Sequence, residues 1–305
     1  MEKEGKLIYT VVVTYNGLRW IDRCLKCLTE SSVHTDVIVV DNGSTDGTRD
    51  FVPSHYPQVI WMPQPRNLGF GGGNNIAIKY ALEHEADYVL LLNQDAYLQS
   101  TAIEEMLKVA DGRNLVSPVH LCGDGSRIDT MFRESLKRAN NELLDDLLIN
   151  HECQQSYEIG EVCAACWFMP IDLIKCVGGF NPIFFQYGED NNYYTRMVYH
   201  GRKTILAPHA RVWHDRKLHG NSALFSKKEI WIRMMVIACD PGLSLMRRLL
   251  KCSLLFVQSP MNVLRTTGFI LSHCKKIMNS RKTERMEGEA WISRKTDRKE
   301  DEAWL

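Results

Sequence analysis

Five short polar clusters stand at the ends of apolar runs, and each carries groups that bind or move charge. In "LLLNQDAYL" (90–98) an apolar run stops at Asn93 and Asp95, two residues apart. One carboxylate at a strand end can hold Mg²⁺ or Mn²⁺ through oxygen, with a substrate diphosphate completing the shell. An ordinary solvent-facing strand end would look the same. In "VVDNGSTDGT" (39–48) a strand delivers Asp41 to a tight turn, where it can accept from a base N–H or a ribose hydroxyl. Asn-Gly and Asp-Gly are also plain turn dipeptides. "PRNLGFGGGNNIAI" (65–78) sets four glycines before a helix N-terminus, a place that favours anions. It is neither a Walker A loop nor G-x-G-x-x-G after the first strand. "FFQYGEDNNYYTR" (184–196) places Glu189 and Asp190 beside aromatic residues, where an acid can serve as general base. The same two acids suit the first turn of a helix. "VWHDRKLHG" (212–220) offers His214 and His219, whose imidazoles can ligate a metal.

These clusters need a scaffold that brings strand ends together. The continuous apolar, β-branched run 7–14 reads as a strand buried on both faces, with further strands at 36–41, 58–62 and 88–92 and a fifth at 114–118. Between them, helical spacing appears at 18–30, from Thr45–Asp46, from the GGGNN of the glycine run and at 101–110. Alternation with short connections predicts an α/β chain with a mostly parallel, doubly wound, Rossmann-like sheet flanked by helices. Ligands then sit outside the carboxyl ends of the strands, where Thr14, Tyr15, Asn16, Asp41, Asn93 and Asp95 fall. Residues 120–160 are polar and irregular with one helix near 133–149, and 161–170 returns to strand character.

From 226 the pattern is helical. Residues 243–282 carry eight Lys/Arg and no Asp or Glu, with Leu, Met, Phe and Val between them. A solvated basic face would explain this, and so would contact with anionic lipid headgroups, with Trp231 and Phe256 as interfacial anchors. The expected division is 1–222 as the catalytic domain (donor half about 1–118, acceptor half about 119–222), a basic amphipathic extension at 223–282, and a charged tail at 283–305.

The formal net charge is zero, so the chain as a whole is no polyelectrolyte and nucleic acid is not an expected partner. The start has no signal-peptide core, and no run approaches the ~18 apolar residues of a spanning helix, so a cytosolic location is expected. Two C-x-x-C pairs, Cys24/Cys27 and Cys163/Cys166, admit a zinc reading. Their wide separation and apolar neighbours favour buried thiols.

Taken in order, "VVVTYNG", "VVDNGSTDGT", "NLGFGGGNN", "LLNQDA", "GGFNPIFFQYGEDNNYYTR" and "VWH" resemble the motif succession of family 2 inverting glycosyltransferases, over residues 7–220. The nearest subgroup is the bacterial rhamnosyltransferases of cell-surface polysaccharide synthesis. The resemblance implies a GT-A fold with a C-terminal helical extension, a nucleotide-sugar donor (dTDP-rhamnose favoured) and a divalent metal, Mg²⁺ or Mn²⁺. It implies a growing, lipid-linked glycan as acceptor, at the inner face of the cell membrane. By the same resemblance, Thr14, Tyr15, Asn16 and Asp41 line the nucleotide, and Asn67, Gly69 and Asn74 lie in a glycine-rich donor loop. Asn93 occupies the first D-x-D position on the donor side, while Asp95 and His214 ligate metal. Asp190 is the base, with Glu189, Trp213 and Arg196 on the acceptor side. Asn93, Asn181 and Asn192 depart from the acids usual there. The other readings are transfer from a UDP-sugar such as galactofuranose, a nucleotidyltransferase, and a non-catalytic membrane-associated binding protein.

Overall fold

The computed structural model describes residues 5–136, 142–216, 227–258, 264, 267, 268, 270–272 and 274–284. His219 and most of the 283–305 tail lie outside the described residues, as does the side chain of Phe256. The chain divides into two units. One runs to Ile174 and includes Arg202–Arg216; the other holds Lys175–Gly201 and the described residues from 227 onward.

The first unit is built on a nine-stranded sheet. Its first half alternates β1 (Ile8–Thr14), α1 (Leu18–Thr29), β2 (Asp36–Asp41), α2 (Thr48–His55), β3 (Ile60–Pro63), α3 (Gly69–Glu83) and β4 (Tyr88–Asn93). These four strands are parallel in the order β3-β2-β1-β4, as their continuous apolar runs require. Val11, Val12, Ile38, Val39, Val40, Val89 and Leu90 are fully buried. Between β1 and β4 the strand order reverses, which opens a crevice at their carboxyl ends.

Then come β5 (Ala96–Leu98), α4 (Ala102–Val109), β6 (Leu115–Cys122), α5 (Thr130–Leu136), α6 (Glu142–Asp145), a π-helical turn at Asp146–Asn150, β7 (Tyr157–Ile159), β8 (Cys166–Pro170) and, in the chain's later return, β9 (Thr204–His214). Beyond β4 the sheet becomes mixed. β8 is antiparallel to both β4 and β6, β9 is parallel to β6, and β5 and β7 are antiparallel to β9. The strand alternation of the first half therefore does not continue. Between Pro118 and Val119 the β6–β9 register jumps from Ala207 to Arg211, and Pro208 sits in the resulting irregularity, where a strand tolerates proline.

The helix expected to open within the glycine run begins two residues earlier than GGGNN, at Gly69. A Cβ on Gly73 would lie 2.7 Å from Val13 Cγ1, so only glycine lets α3 lie this close to β1. The C-x-x-C cysteines form no disulfide among the described residues. Burial pushes Cys27 up to about 11 and raises Cys24 and Cys166 as well, which keeps them protonated. No group of three or more His, Cys, Asp or Glu able to hold a metal occurs among the described residues.

In the second unit α7 (Ile171–Val177) ends, α8 (Glu189–Tyr199) follows, and α9 (Lys227–Cys239), α10 (Leu245–Gln258) and α11 (Cys274–Glu284) form its helical part. Trp231, expected as an interfacial anchor, instead packs against a core of Ile183, Phe184, Met235, Ala238, Cys239 and Ile277. No described helix is long and apolar enough to cross a membrane.

Candidate functional site

Register decides where the polar strand ends meet. Thr14 stands opposite Asp41, and Val13 opposite Asn93, so β1, β2 and β4 end at one level. Gln94 ties that edge together: its Oε1 accepts from Thr14 Oγ1 at 2.7 Å and from the Tyr15 amide at 3.0 Å. A Cβ on Gly17 would sit 2.3 Å from the same oxygen, so the turn after β1 is shaped around this side chain. Asn16 takes a left-handed conformation (φ 49°), donates its amide to Ser44 Oγ at 2.9 Å and accepts from the Thr45 amide at 2.8 Å. Tyr15 remains exposed beside it.

Asp41 is fully buried. Its carboxylate accepts from the Ser44 amide at 3.1 Å and pairs with Arg49 Nε at 3.1 Å. The Arg49 side chain is 43% exposed, so the charged surface offered outward here is the guanidinium, with Asp41 behind it. Sequence reading missed Arg49 because nothing in its spacing links it to Asp41.

In the third strand-to-helix connection, Asn67 Oδ1 accepts from the Gly69 amide at 2.8 Å. Asn42 Nδ2 donates to the Gly69 carbonyl at 3.0 Å, and buried Asn74 donates to the Phe70 carbonyl at 2.9 Å. Asn67 and Asn74 thus brace the start of α3, and Asn42 fastens it to β2.

The fourth strand end carries the site's most pointed arrangement. β5 pairs with the end of β9, setting Ala96 opposite His214, and the Asp215 amide donates to the Asp95 carbonyl at 2.8 Å. This brings His214 Nε2 to 3.4 Å from Asp95 Oδ1. His214 Nδ1 and Asn93 Oδ1 are buried with no partner among the described residues. Two donors on adjacent positions of a small octahedral ion stand about 3.0 Å apart, close to this separation. An oxygen–nitrogen donor pair beside unpartnered polar atoms could supply two of the ligands of a divalent cation, the rest of whose positions would have to come from diphosphate and water.

Behind His214 lies a buried polar group that sequence reading did not single out. On β6, His120 is stacked on Phe132 with ring centroids 4.9 Å apart. It lies 3.3 Å from Ser117 Oγ and 3.8 Å from Cys163 Sγ. Burial, with His214 nearby, pushes its imidazole down to about 3. Arg216 binds buried Asp129 through Nε at 2.9 Å and through Nη2. Asp129 in turn accepts from the amides of Met131 and Phe132 at the start of α5. Burial opposes ionisation of Asp129, but the guanidinium and these amides hold its carboxyl below the usual range.

Trp213, expected on the acceptor side, occupies the strand position next to His214. Its side chain therefore leaves the opposite face, where it packs against the main core. The structure does not bring it to the Asp95–His214 pair.

In the second unit, Tyr187 (φ 73°) and Gly188 (φ 91°) are successive left-handed residues that turn the chain into α8. Glu189 is buried and Asp190 half-buried in the first turn of that helix. Arg196, also expected on the acceptor side, is fully buried. Nε donates to Asn192 Oδ1 at 3.2 Å, Nη1 to the Val177 carbonyl at 2.9 Å and Nη2 to the Gly179 carbonyl at 2.7 Å. With its donors directed to these acceptors, it fixes the helix that carries Asp190 rather than facing solvent.

A family model described as "Glycosyl transferase family 2" matches residues 9–178. Among curated proteins, the chain is 24% identical to the N-acetylglucosaminyl-diphospho-decaprenol L-rhamnosyltransferase of Mycobacterium tuberculosis, over 68% of this chain and 75% of that one. It is 23% identical to rhamnosyltransferase WbbL of Escherichia coli (strain K12), over 74% and 89%. Among solved structures, S. aureus TarS 1-349 in complex with UDP superposes with a TM-score of 0.54 at 16% identity, covering 79% of this chain and 68% of that one. The last likeness concerns the fold alone, which is GT-A.

Proposed function

The chain belongs to glycosyl transferase family 2 and is a glycosyltransferase, and on that premise we propose that it moves rhamnose from dTDP-rhamnose, with inversion, to a hydroxyl of a growing lipid-linked cell-surface glycan. The work takes place at the cytoplasmic face of the cell membrane. The observation that carries this reading is the Asp95–His214 pair, 3.4 Å apart at the carboxyl end of β4 beside the level ends of β1 and β2. The rhamnosyl donor is supported by the two relatives named for that transfer.

Asp95 and His214 would hold a divalent ion, which supplies positive charge against the departing nucleoside diphosphate when bound. Thr14, Tyr15 and Asn16, held by Gln94 and Ser44, line the nucleotide. Asp41 orients Arg49 toward its nucleoside end. Asp190, assigned by its place in the motif order, takes the proton from the acceptor hydroxyl as that oxygen attacks the anomeric carbon. A single displacement inverts the centre, so no covalent sugar–enzyme intermediate forms. Glu189, buried in the same turn, supports the acceptor side.

The test is a thermal-shift panel of nucleotide sugars with and without Mn²⁺, followed by transfer assays on Asp190→Asn. A ligand at about 100 times its Kd stabilises the native state by about 2.7 kcal/mol. dTDP-rhamnose should raise Tm, more so with Mn²⁺, and Asp190→Asn should bind it without transferring. A shift with a UDP-sugar and none with dTDP-rhamnose would overturn the donor, and full turnover by Asp190→Asn would remove the base.

A further inference from the structure

α10 is built the wrong way round for a helix that meets only water. Its inner stripe is formed by Leu255, buried, and Cys252, half-buried, against Ile230 and Met234 of α9. The opposite side should then be charged or polar. Instead it presents Leu245 (62% exposed), Met246 (74%), Leu249 (56%), Leu250 (62%) and Leu254 (59%). At about 100° per residue these five cover roughly half the helix circumference. Single exposed leucines are common, but five apolar side chains on one stripe, broken only by Ser253, mark a surface that something covers.

The charge around the row narrows what that something is. Arg247 and Lys251 are exposed on one flank of the same helix. On α11, Lys275, Lys276 and Lys282 are exposed together with Met278, while Arg281 is turned inward to the carbonyls of Asp240 and Leu243. From 243 to 282 the sequence holds no acid at all. A second copy of the chain meeting this face through a two-fold axis would set cations chiefly against cations, with only Asp240, near Lys251 and Arg281, to offset them. A bilayer rich in anionic headgroups satisfies both features, because an apolar stripe beside basic residues is the pattern of a helix lying in the interface plane.

Length gives the orientation. The 14 residues of α10 span about 21 Å, short of the ~30 Å hydrocarbon core, so such a helix could lie along a membrane surface but not cross it.

We propose that α10 is a membrane-docking helix that inserts Leu245, Met246, Leu249, Leu250 and Leu254 among the lipids of an anionic surface, with the cations of α10 and α11 at the headgroups. The purpose of docking rests on the lipid-linked acceptor proposed above; the docking itself does not. Its effect is to replace a search through solution by a search in the plane where such an acceptor is confined.

The experiment is co-sedimentation of the full chain with phosphatidylcholine vesicles, with or without one-third phosphatidylglycerol, at low and high salt. The wild type should bind anionic vesicles at least tenfold better than neutral ones. The triple variant Met246→Ser, Leu250→Ser, Leu254→Ser should lose at least tenfold on anionic vesicles while keeping its Tm, since all three side chains are exposed. Arg247→Gln with Lys251→Gln should weaken binding chiefly at low salt. Equal binding by wild type and triple variant, or none by the wild type, would overturn the proposal. So would light scattering that shows a dimer which the triple variant dissolves, because the face would then be a subunit interface. Vesicle binding without sugar transfer would leave docking standing and remove the proposed rhamnosyl transfer; transfer to a water-soluble acceptor without vesicle binding would do the reverse.

Discussion

Acidification from pH 7 to pH 5 should weaken the strand pairing behind His214, and His120 should be the cause. In the folded chain burial pushes this imidazole from 6.5 down to about 3, whereas the unfolded chain titrates at the ordinary value. Between those limits the unfolded state binds the extra proton, so stability rises with pH. The contribution is intact above 6.5 and is lost progressively as pH falls toward 3. At pH 5 the lag is 1.5 units, or about 2 kcal/mol at about 1.36 kcal/mol per unit. Because the chain divides into two units, a single unfolding free energy is a poor readout. Hydrogen exchange of the β6 amides reports the local value. After correction for intrinsic exchange, wild-type β6 protection should fall by about thirtyfold more than that of His120→Asn, which cannot titrate. The variant starts from lower protection, since it loses the stack on Phe132, so the comparison is between slopes. Identical slopes would refute the argument: the imidazole would then be hydrated or already charged when folded.

Three further outcomes test the scaffold around the site. Arg216→Met leaves the buried Asp129 carboxylate unpaired and should cost about 3 kcal/mol, read as a drop in the denaturant midpoint; no drop would mean that water replaces the guanidinium. Gly73→Ala gains about 1 kcal/mol of helix propensity but drives a methyl against Val13, so Tm should fall, and a rise would show that α3 can slide outward. Tyr187→Gly should raise stability by about 1 kcal/mol by relieving a left-handed backbone at a non-glycine residue, and a lower Tm would show that the tyrosine's packing outweighs the strain.

What the sequence discloses follows from how locally each feature is determined. Strands β1, β2 and β4 are legible because a strand buried on both faces is apolar along nearly its whole length, as 7–14, 36–41 and 88–92 are apart from the threonines of β1 and the terminal aspartates of β2. Their polar ends are legible for the same reason, since the apolar run stops where the crevice begins. β5 is three residues long and exists only by pairing with β9, a strand from the chain's later return, so periodicity cannot announce it. The glycine run is legible as the opening of a helix, but its cause, the close approach of α3 to Val13, is set by tertiary packing. Arg49, Gln94, His120 and the Arg216–Asp129 pair are invisible to spacing, because each partner is chosen by tertiary contact.

The Asp95–His214 pair joins these two kinds of information. The residue types are read from two motifs far apart in the chain, but their meeting depends on β5, the least legible strand. Without the Ala96–His214 pairing the carboxylate would end β4 facing the crevice, and the imidazole would end β9 with no counterpart. If the pair holds the ion proposed above, that edge cannot form until the long-range β5–β9 pairing forms, and donor binding would be coupled to closure of the sheet. A divalent ion with nucleotide should accordingly protect the β5 and β9 amides from exchange more than those of β2 or β3, and uniform protection across the sheet would separate the ion from the strand pairing.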